Sequence, residues 1–342
     1  MKKIVAGLAA LAMAASVFAV DVTAQLKMES DIFDSTSKSV LTTPVSTGWD
    51  GNNTYLKFSA SGDKSGAQFS LNGADGEDID FLNYSLWFKP VDALKITIGN
   101  APVGASIAQG TFAWWAVSAR LNNDEDAYGV RFDLTFDALS FAFYSAKSAL
   151  LNFSNSGYAV LGDFWFEGKY NLGDAGTIQG FVTKGANINA YGVGGWETTG
   201  LAFGVAYNNM PWQQTGYYAD VVANLDSNFK FEGVASQIGG QYCTNGLALR
   251  LTNMIAYGSH YGSADKYFDY GFAFKASYAI DAWTPWIQLV GNEILDKKLG
   301  LSAGVDTKVG SVDISIAFES ALDFNSGSTF SFKLPVYFTV AL

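Results

Sequence analysis

Polar and apolar residues alternate with a period of two along most of this chain. In AYGVRFDLTFD, Tyr128, Val130, Phe132, Leu134 and Phe136 fall on one side, and Gly129, Arg131, Asp133, Thr135 and Asp137 on the other. In FDYGFAFKASY, Phe268, Tyr270, Phe272, Phe274 and Tyr278 oppose Asp269, Gly271, Lys275 and Ser277. SVDISIAFE and the final TFSFKLPVYFTVAL repeat the pattern. Successive strand side chains point to opposite faces, whereas a helix repeats every 3.6 residues, so these segments read as half-buried strands. About eighteen can be marked, starting near Val20, Thr54, Gly66, Phe81, Leu94, Ala127, Leu139, Val160, Thr177, Leu201, Gly216, Asn228, Leu247, Phe268, Trp283, Leu299, Ser311 and Thr329. Merging two between 200 and 246, where the pattern is weakest, leaves sixteen.

Hydrophobic residues make up 49% of the chain and charged residues only 15%, against about 25% charged in ordinary soluble domains. Yet no apolar run after residue 20 reaches the roughly 18 residues of a spanning helix. In lipid, the other architecture that satisfies every backbone group is a closed barrel. A secreted sandwich or solenoid would need outward faces rich in Lys, Glu, Thr and Ser. Here one face of nearly every segment is Phe, Leu, Val and Tyr. The expected fold is all-β: one transmembrane antiparallel β-barrel of about 16–18 strands over residues 20–342.

MKKIVAGLAALAMAASVFAVD reads as a secretory signal over residues 1–19, with Lys2 and Lys3 ahead of a short apolar stretch and a small-residue cleavage site. A true membrane helix there is disfavoured, because polar alternation follows at once. One cysteine, Cys243, allows no internal disulfide. With 32 acidic and 21 basic side chains, the chain is a poor nucleic-acid binder.

Connections tend to alternate in length. Those near 62–65, 90–92, 137–138, 280–282 and 308–310 are tight. Those at 31–53, 99–126, 147–158, 185–199, 257–267 and 320–328 are longer. Outer-membrane barrels keep short turns on the periplasmic rim and longer loops on the extracellular rim. The rhythm fails between 208 and 245. Aromatic residues gather near strand ends, among them Trp49, Tyr55, Tyr84, Trp87, Tyr170, Tyr207, Trp212, Trp283 and Trp286. Rings with a polar tip favour the lipid–water boundary.

Catalytic chemistry finds little support, and the expectation is a non-enzyme without metal or cofactor. His260 is the only histidine, so no two-histidine metal motif is available. Nothing near Cys243 marks it as a nucleophile. YGVGGWE lacks the Lys-Ser/Thr of a phosphate loop.

If the apolar face meets lipid, the polar face lines the interior. It would carry Lys57, Lys95, Arg131, Lys169, Lys230, Arg250, Lys275 and Lys333 with Asp133, Glu167, Glu232 and Asp313, a basic surplus. Charged lumen walls tune which ions pass.

With its leading signal, strand number, alternating connections and final amphipathic strand, the chain resembles the porin-like outer-membrane barrels of double-membraned bacteria. That resemblance implies passive diffusion of ions and small polar solutes, insertion in the outer membrane by the barrel-assembly machinery, and homotrimers. Many such proteins end on an aromatic residue; this chain ends on Leu342, and Pro335 interrupts its last strand. In general porins the third long loop folds inward. Here that loop is 99–126, containing GTFAWWAVSARLNNDED. Phe112, Trp114 and Trp115 would anchor it to the inner wall, and Arg120, Asp124, Glu125 and Asp126 would form the constriction. A loop folded over the barrel mouth is the alternative. Two other functions stay open: an adhesin or surface antigen acting through its loops, and a transporter of hydrophobic solutes.

Overall fold

A computed structural model describes residues 20–40, 55–74, 78–99, 105–106, 118–121, 129–145, 151–153, 159–161, 164–184, 186–190, 194–197, 200–210, 214–226, 228–259, 266–291, 298–324 and 329–341. The wall begins with β1 (Val20–Asp34), β2 (Tyr55–Ser61), β3 (Ser65–Ala74), β4 (Asp78–Val91), β5 (Leu94–Gly99) and β6 (Gly129–Phe136). It continues through β7 (Leu139–Ser145), β8 (Phe164–Asn171), β9 (Thr177–Lys184), β10 (Leu201–Asn209), β11 (Gly216–Leu225) and β12 (Phe231–Thr244). It ends with β13 (Leu247–Ser259), β14 (Lys266–Tyr278), β15 (Trp283–Gly291), β16 (Lys298–Val309), β17 (Val312–Asp323) and β18 (Thr329–Ala341). Each pairs antiparallel with the next, and β1 pairs with β18, so the sheet closes. The segments read from periodicity correspond one to one with these strands, and the sixteen-strand count is set aside. Two starts shift. Residues 159–161 pair with 151–153 in a separate hairpin, so β8 begins at Phe164. Residues 226–230 form a turn held by Asp226, so β12 begins at Phe231.

Antiparallel pairing preserves side-chain parity from strand to strand. Thus Ile96, Phe132 and Phe143 line up outward, while Lys95, Asp133 and Ala142 line up inward. The outward face leaves large apolar side chains exposed, including Leu86, Phe166, Val205 (56%), Ile238 (59%), Leu251 and Ile287. So wide an apolar belt is a lipid surface, since soluble monomers rarely expose contiguous patches above a few hundred Å². Tyr170, Tyr207, Tyr217, Tyr242, Tyr278 and Trp283 ring it close to one rim.

That rim carries the connections 62–64, 92–93, 137–138, 245–246 and 310–311, together with the longer 172–176 and 210–215. The other rim carries 35–54, 100–128, 146–163 and 185–200 over the N-terminal half of the barrel. Over the other half it has only the short 226–230, 260–265, 292–297 and 324–328, because strand pairing takes in much of the 257–267 and 320–328 segments that read as longer connections. The longer 210–215 on the first rim and the short 226–230 on the second are the local break in rhythm read between 208 and 245. Apart from the wall sheet, residues 118–121 pair with 105–106 and with 186–190, which pairs in turn with 194–197. The 100–128 connection is therefore tied by backbone pairing to the 185–200 connection.

Inside the barrel, aromatic rings lie against glycines directly opposite them on the neighbouring strand. Trp87 covers Gly66, Phe181 covers Gly204, Tyr218 covers Gly239 and Trp286 covers Gly304. A Cβ at any of these glycines would overlap the ring. The bare backbone is the seat, a pairing that restores packing at strand glycines. Trp87 and Trp286 thus point inward, rather than joining the girdle as their place near strand ends suggests. Parity decides this: both share a face with charged neighbours, Trp87 with Lys89 and Trp286 with Lys275 of the adjacent strand.

Candidate functional site

Parity places three charged groups on the inner wall. The first lines a hollow of about 740 Å³ bordered by Lys57, Lys95, Arg131, Asp133, Glu167 and Lys169 from β2, β5, β6 and β8. Arg131 Nε lies 2.7 Å from Asp133 Oδ1, and its Nη2 lies 3.4 Å from Glu167 Oε1. Lys169 Nζ approaches the same Glu167 oxygen at 3.2 Å. Trp165 Nε1 and Gln179 Nε2 both donate to Glu167 Oε2 at 3.1 Å. Glu167, 5% exposed, is the hub that fixes two cations and an indole. Lys57 and Lys95 have no carboxylate partner among the described residues; Lys95 Nζ sits 5.1 Å from the Trp87 ring centroid instead.

The second group lies on the seam. Lys333 Nζ is 2.6 Å from Glu29 Oε1 and 3.5 Å from Glu319 Oε2, and the Tyr337 hydroxyl donates to Glu319 Oε1 at 2.8 Å. The third borders a hollow of about 750 Å³ lined by Lys275, Trp286, Asp306, Lys308 and Asp313. Asp306 Oδ1 accepts from Trp286 Nε1 at 2.8 Å and from the Ser315 hydroxyl at 2.6 Å. Lys275 Nζ stands 4.5 Å from the Trp286 ring centroid, and Lys308 pairs with Asp313 at 3.1 Å. Arg250 is opposite Lys275 on the adjacent strand.

Between these groups the wall of β9 to β13 is packed. Gln237 and Thr252 are each 1% exposed and meet through Tyr218: Gln237 Nε2 donates to the Tyr218 hydroxyl at 3.1 Å, which bonds Thr252 Oγ1 at 2.6 Å. Buried polar groups paired in this way escape the cost of unsatisfied burial. A further hollow of about 700 Å³ opens at the short-turn end of β9 and β10, beside Gln179, Ala206 and Asn208.

Of the charges expected on the wall, Lys57, Lys95, Arg131, Asp133 and Lys169 converge in one hollow, and Lys275 and Asp313 share another. Lys333 is on the seam. Glu232 reaches the interior through an irregularity. Pairing jumps from Asn224–Gly233 to Leu225–Phe231, leaving Glu232 without a ladder partner, and its carboxylate accepts from Asn224 Nδ2 at 2.8 Å. Lys230 is in the turn ahead of β12, not on a strand, and its backbone N–H donates to Asp226 Oδ1. Arg120 is described through its backbone, which pairs with Asn187. Phe112, Trp114, Trp115, Asp124, Glu125, Asp126 and His260 lie outside the described residues, as do residues 1–19. Glu29, Asp306, Lys308 and Tyr337 stand outside the wall charges expected from the sequence, whereas Glu319 shares the polar face of SVDISIAFE with Asp313 and Ser315.

Solved structures of the same shape cover nearly the whole chain. Pseudomonas aeruginosa OccK2 (OpdF) matches with a TM-score of 0.56 at 8% identity, over 96% of this chain and 98% of its own. The fold here is that of an outer-membrane porin barrel. A BenF-like porin from Pseudomonas fluorescens Pf-5 matches at 0.54 and 9% identity, over 96% and 99% of the two chains. Pseudomonas aeruginosa OprD matches at 0.53 and 10%, over 94% and 95%. No family model matches the sequence. No curated protein matches it either.

Proposed function

We propose that the protein is an outer-membrane porin, a passive, water-filled channel for ions and small polar solutes. One observation carries this reading: a closed eighteen-strand wall turns an apolar belt outward and opens charged hollows inward. Barrels of 16–18 strands are wide enough to hold an aqueous channel. Solutes then move down their gradient, selected by width and wall charge, with no catalytic step. The porin neighbours support the same reading and an outer-membrane location; removal of residues 1–19 as a secretory signal belongs to the proposal. Delivery by the barrel-assembly machinery and assembly into trimers belong to this proposal.

The 99–126 segment is proposed as the constriction. Its backbone link to 186–190 supports a fixed position, since a strand-paired loop has fewer conformations than a free one. Planar-bilayer recording of the refolded mature chain tests the function. Discrete conductance steps are expected; a chain that inserts and gives none is not a porin.

A further inference from the structure

The charges on the inner wall are sorted by height. Each strand runs between the short-turn rim and the long-loop rim, so position along it gives height. Near the short-turn rim stand Lys95, second in β5, Lys169, close to the end of β8, Arg250, fourth in β13, and Lys275 and Lys308, near the ends of β14 and β16. The acids at that level are fewer than the bases: Asp133 and Glu167 pair with Arg131 and Lys169, Asp313 pairs with Lys308, and Asp306 accepts two hydrogen bonds, which leaves Lys95, Arg250 and Lys275 in surplus. Near the long-loop rim stand Glu29 and Asp31 late in β1, Glu319 and Asp323 late in β17, and Glu232 at the start of β12. Of the bases there, Lys333 is held between Glu29 and Glu319, Lys298 faces Asp323 across the ladder, and Lys230 lies in the turn ahead of β12, so acids remain in surplus. The aspartates in the short turns, such as Asp63, Asp92, Asp137 and Asp281, are exposed beyond the strand ends, where salt screens them.

We propose that this axial polarity makes the channel rectify ionic current. The inference rests on the reading of the protein as a water-filled channel. An acidic upper wall admits cations from the loop side, and a basic lower wall admits anions from the turn side. With the loop side positive, both ions enter through the end that attracts them, and the pore fills with carriers. With the polarity reversed, both are drawn out and the pore is depleted. The effect needs a screening length comparable to the bore, as at about 0.1 M salt, where it is about 10 Å, and fades at about 1 M, where it is about 3 Å.

Single-channel recording at equal and opposite voltages tests this. At about 0.1 M salt the two currents should differ by a factor of about 1.5 or more, converging at about 1 M. Combining Lys95→Gln, Lys275→Gln and Lys308→Gln should bring the low-salt ratio toward one, and Glu319→Gln should do so from the other end. Symmetric currents at low salt would overturn the proposal. So would asymmetry that survives high salt unchanged, which would come from pore shape, or variants that leave the ratio untouched. A complete lack of conductance is a different result: it removes the porin reading itself.

Discussion

Lys333 on the last strand and Glu29 on the first bring their charged atoms within 2.6 Å across the seam that closes the barrel. The backbone ladder is thinnest beside them. Pro335 has no N–H to give, the β1 register shifts between Asp31 and Phe33, and the β17–β18 pairing passes from Ile316–Val336 to Glu319–Lys333 with nothing between. Side chains stand in for missing backbone bonds where the chain's two ends meet.

Replacing Lys333 with Met should therefore weaken closure. The pair is partly exposed, so a loss of about 1–2 kcal/mol is expected. Denaturant unfolding of the refolded barrel should show a lower midpoint. A double-mutant cycle with Glu29→Gln should show coupling between the two sites; additive effects would mean that the contact contributes nothing.

Gly204→Ala should cost about 1–3 kcal/mol, because its new methyl meets the Phe181 ring, itself stacked on Trp165 at 4.5 Å. Phe181→Leu in the same chain should recover part of that loss. If the double variant is less stable than Gly204→Ala alone, the clash is not the cause.

Glu167→Gln should leave Arg131 and Lys169 with one negative charge fewer between them. Reversal potentials in a salt gradient should shift toward anions. Stability should fall by about 1–3 kcal/mol, the usual penalty for buried charged groups that lose a partner. A shift toward cations would contradict the placement of this cluster on the conducting wall.

Neutralising Asp124, Glu125 and Asp126 together should also move selectivity toward anions if 99–126 narrows the lumen. Unchanged reversal potentials would put that stretch outside the pore.

Asp226 gives a pH prediction. Its carboxylate accepts backbone N–H bonds from Lys230 and Asn228, and these hold its pKa below the ordinary aspartate value. A depressed folded pKa means the turn is supported above the unfolded value of about 3.9 and loses that support as pH falls through the lower folded one. Amide exchange at Asn228 and Lys230, corrected for its intrinsic pH dependence, should lose protection in that acid window, and Asp226→Asn should remove the pH dependence.

The strands were legible because lipid outside and water inside impose opposite chemistry on alternate residues, and Phe132 beside Asp133 carries that signal without any tertiary knowledge. What parity cannot give is the partner. It puts Arg131, Asp133 and Lys169 on one face, but not the convergence of two of them on Glu167. Parity also fails where the ladder slips, so Glu232 reaches Asn224 by an irregularity no periodicity announces. Trp87 and Trp286 resemble interface tryptophans by their place near strand ends, and the face they share with Lys89 and Lys275 tells them apart. The pairing of 118–121 with 186–190 joins segments far apart in the chain, which no local pattern reports.

The four inward rings seated on glycine have a geometric result. A tryptophan lying flat on bare backbone takes up less of the bore than a lysine standing upright. At these four seats the calibre of the tube therefore depends on the glycine of the neighbouring strand as well as on the residue facing the water. One added methyl at such a seat would tip a whole ring into the path of the solute.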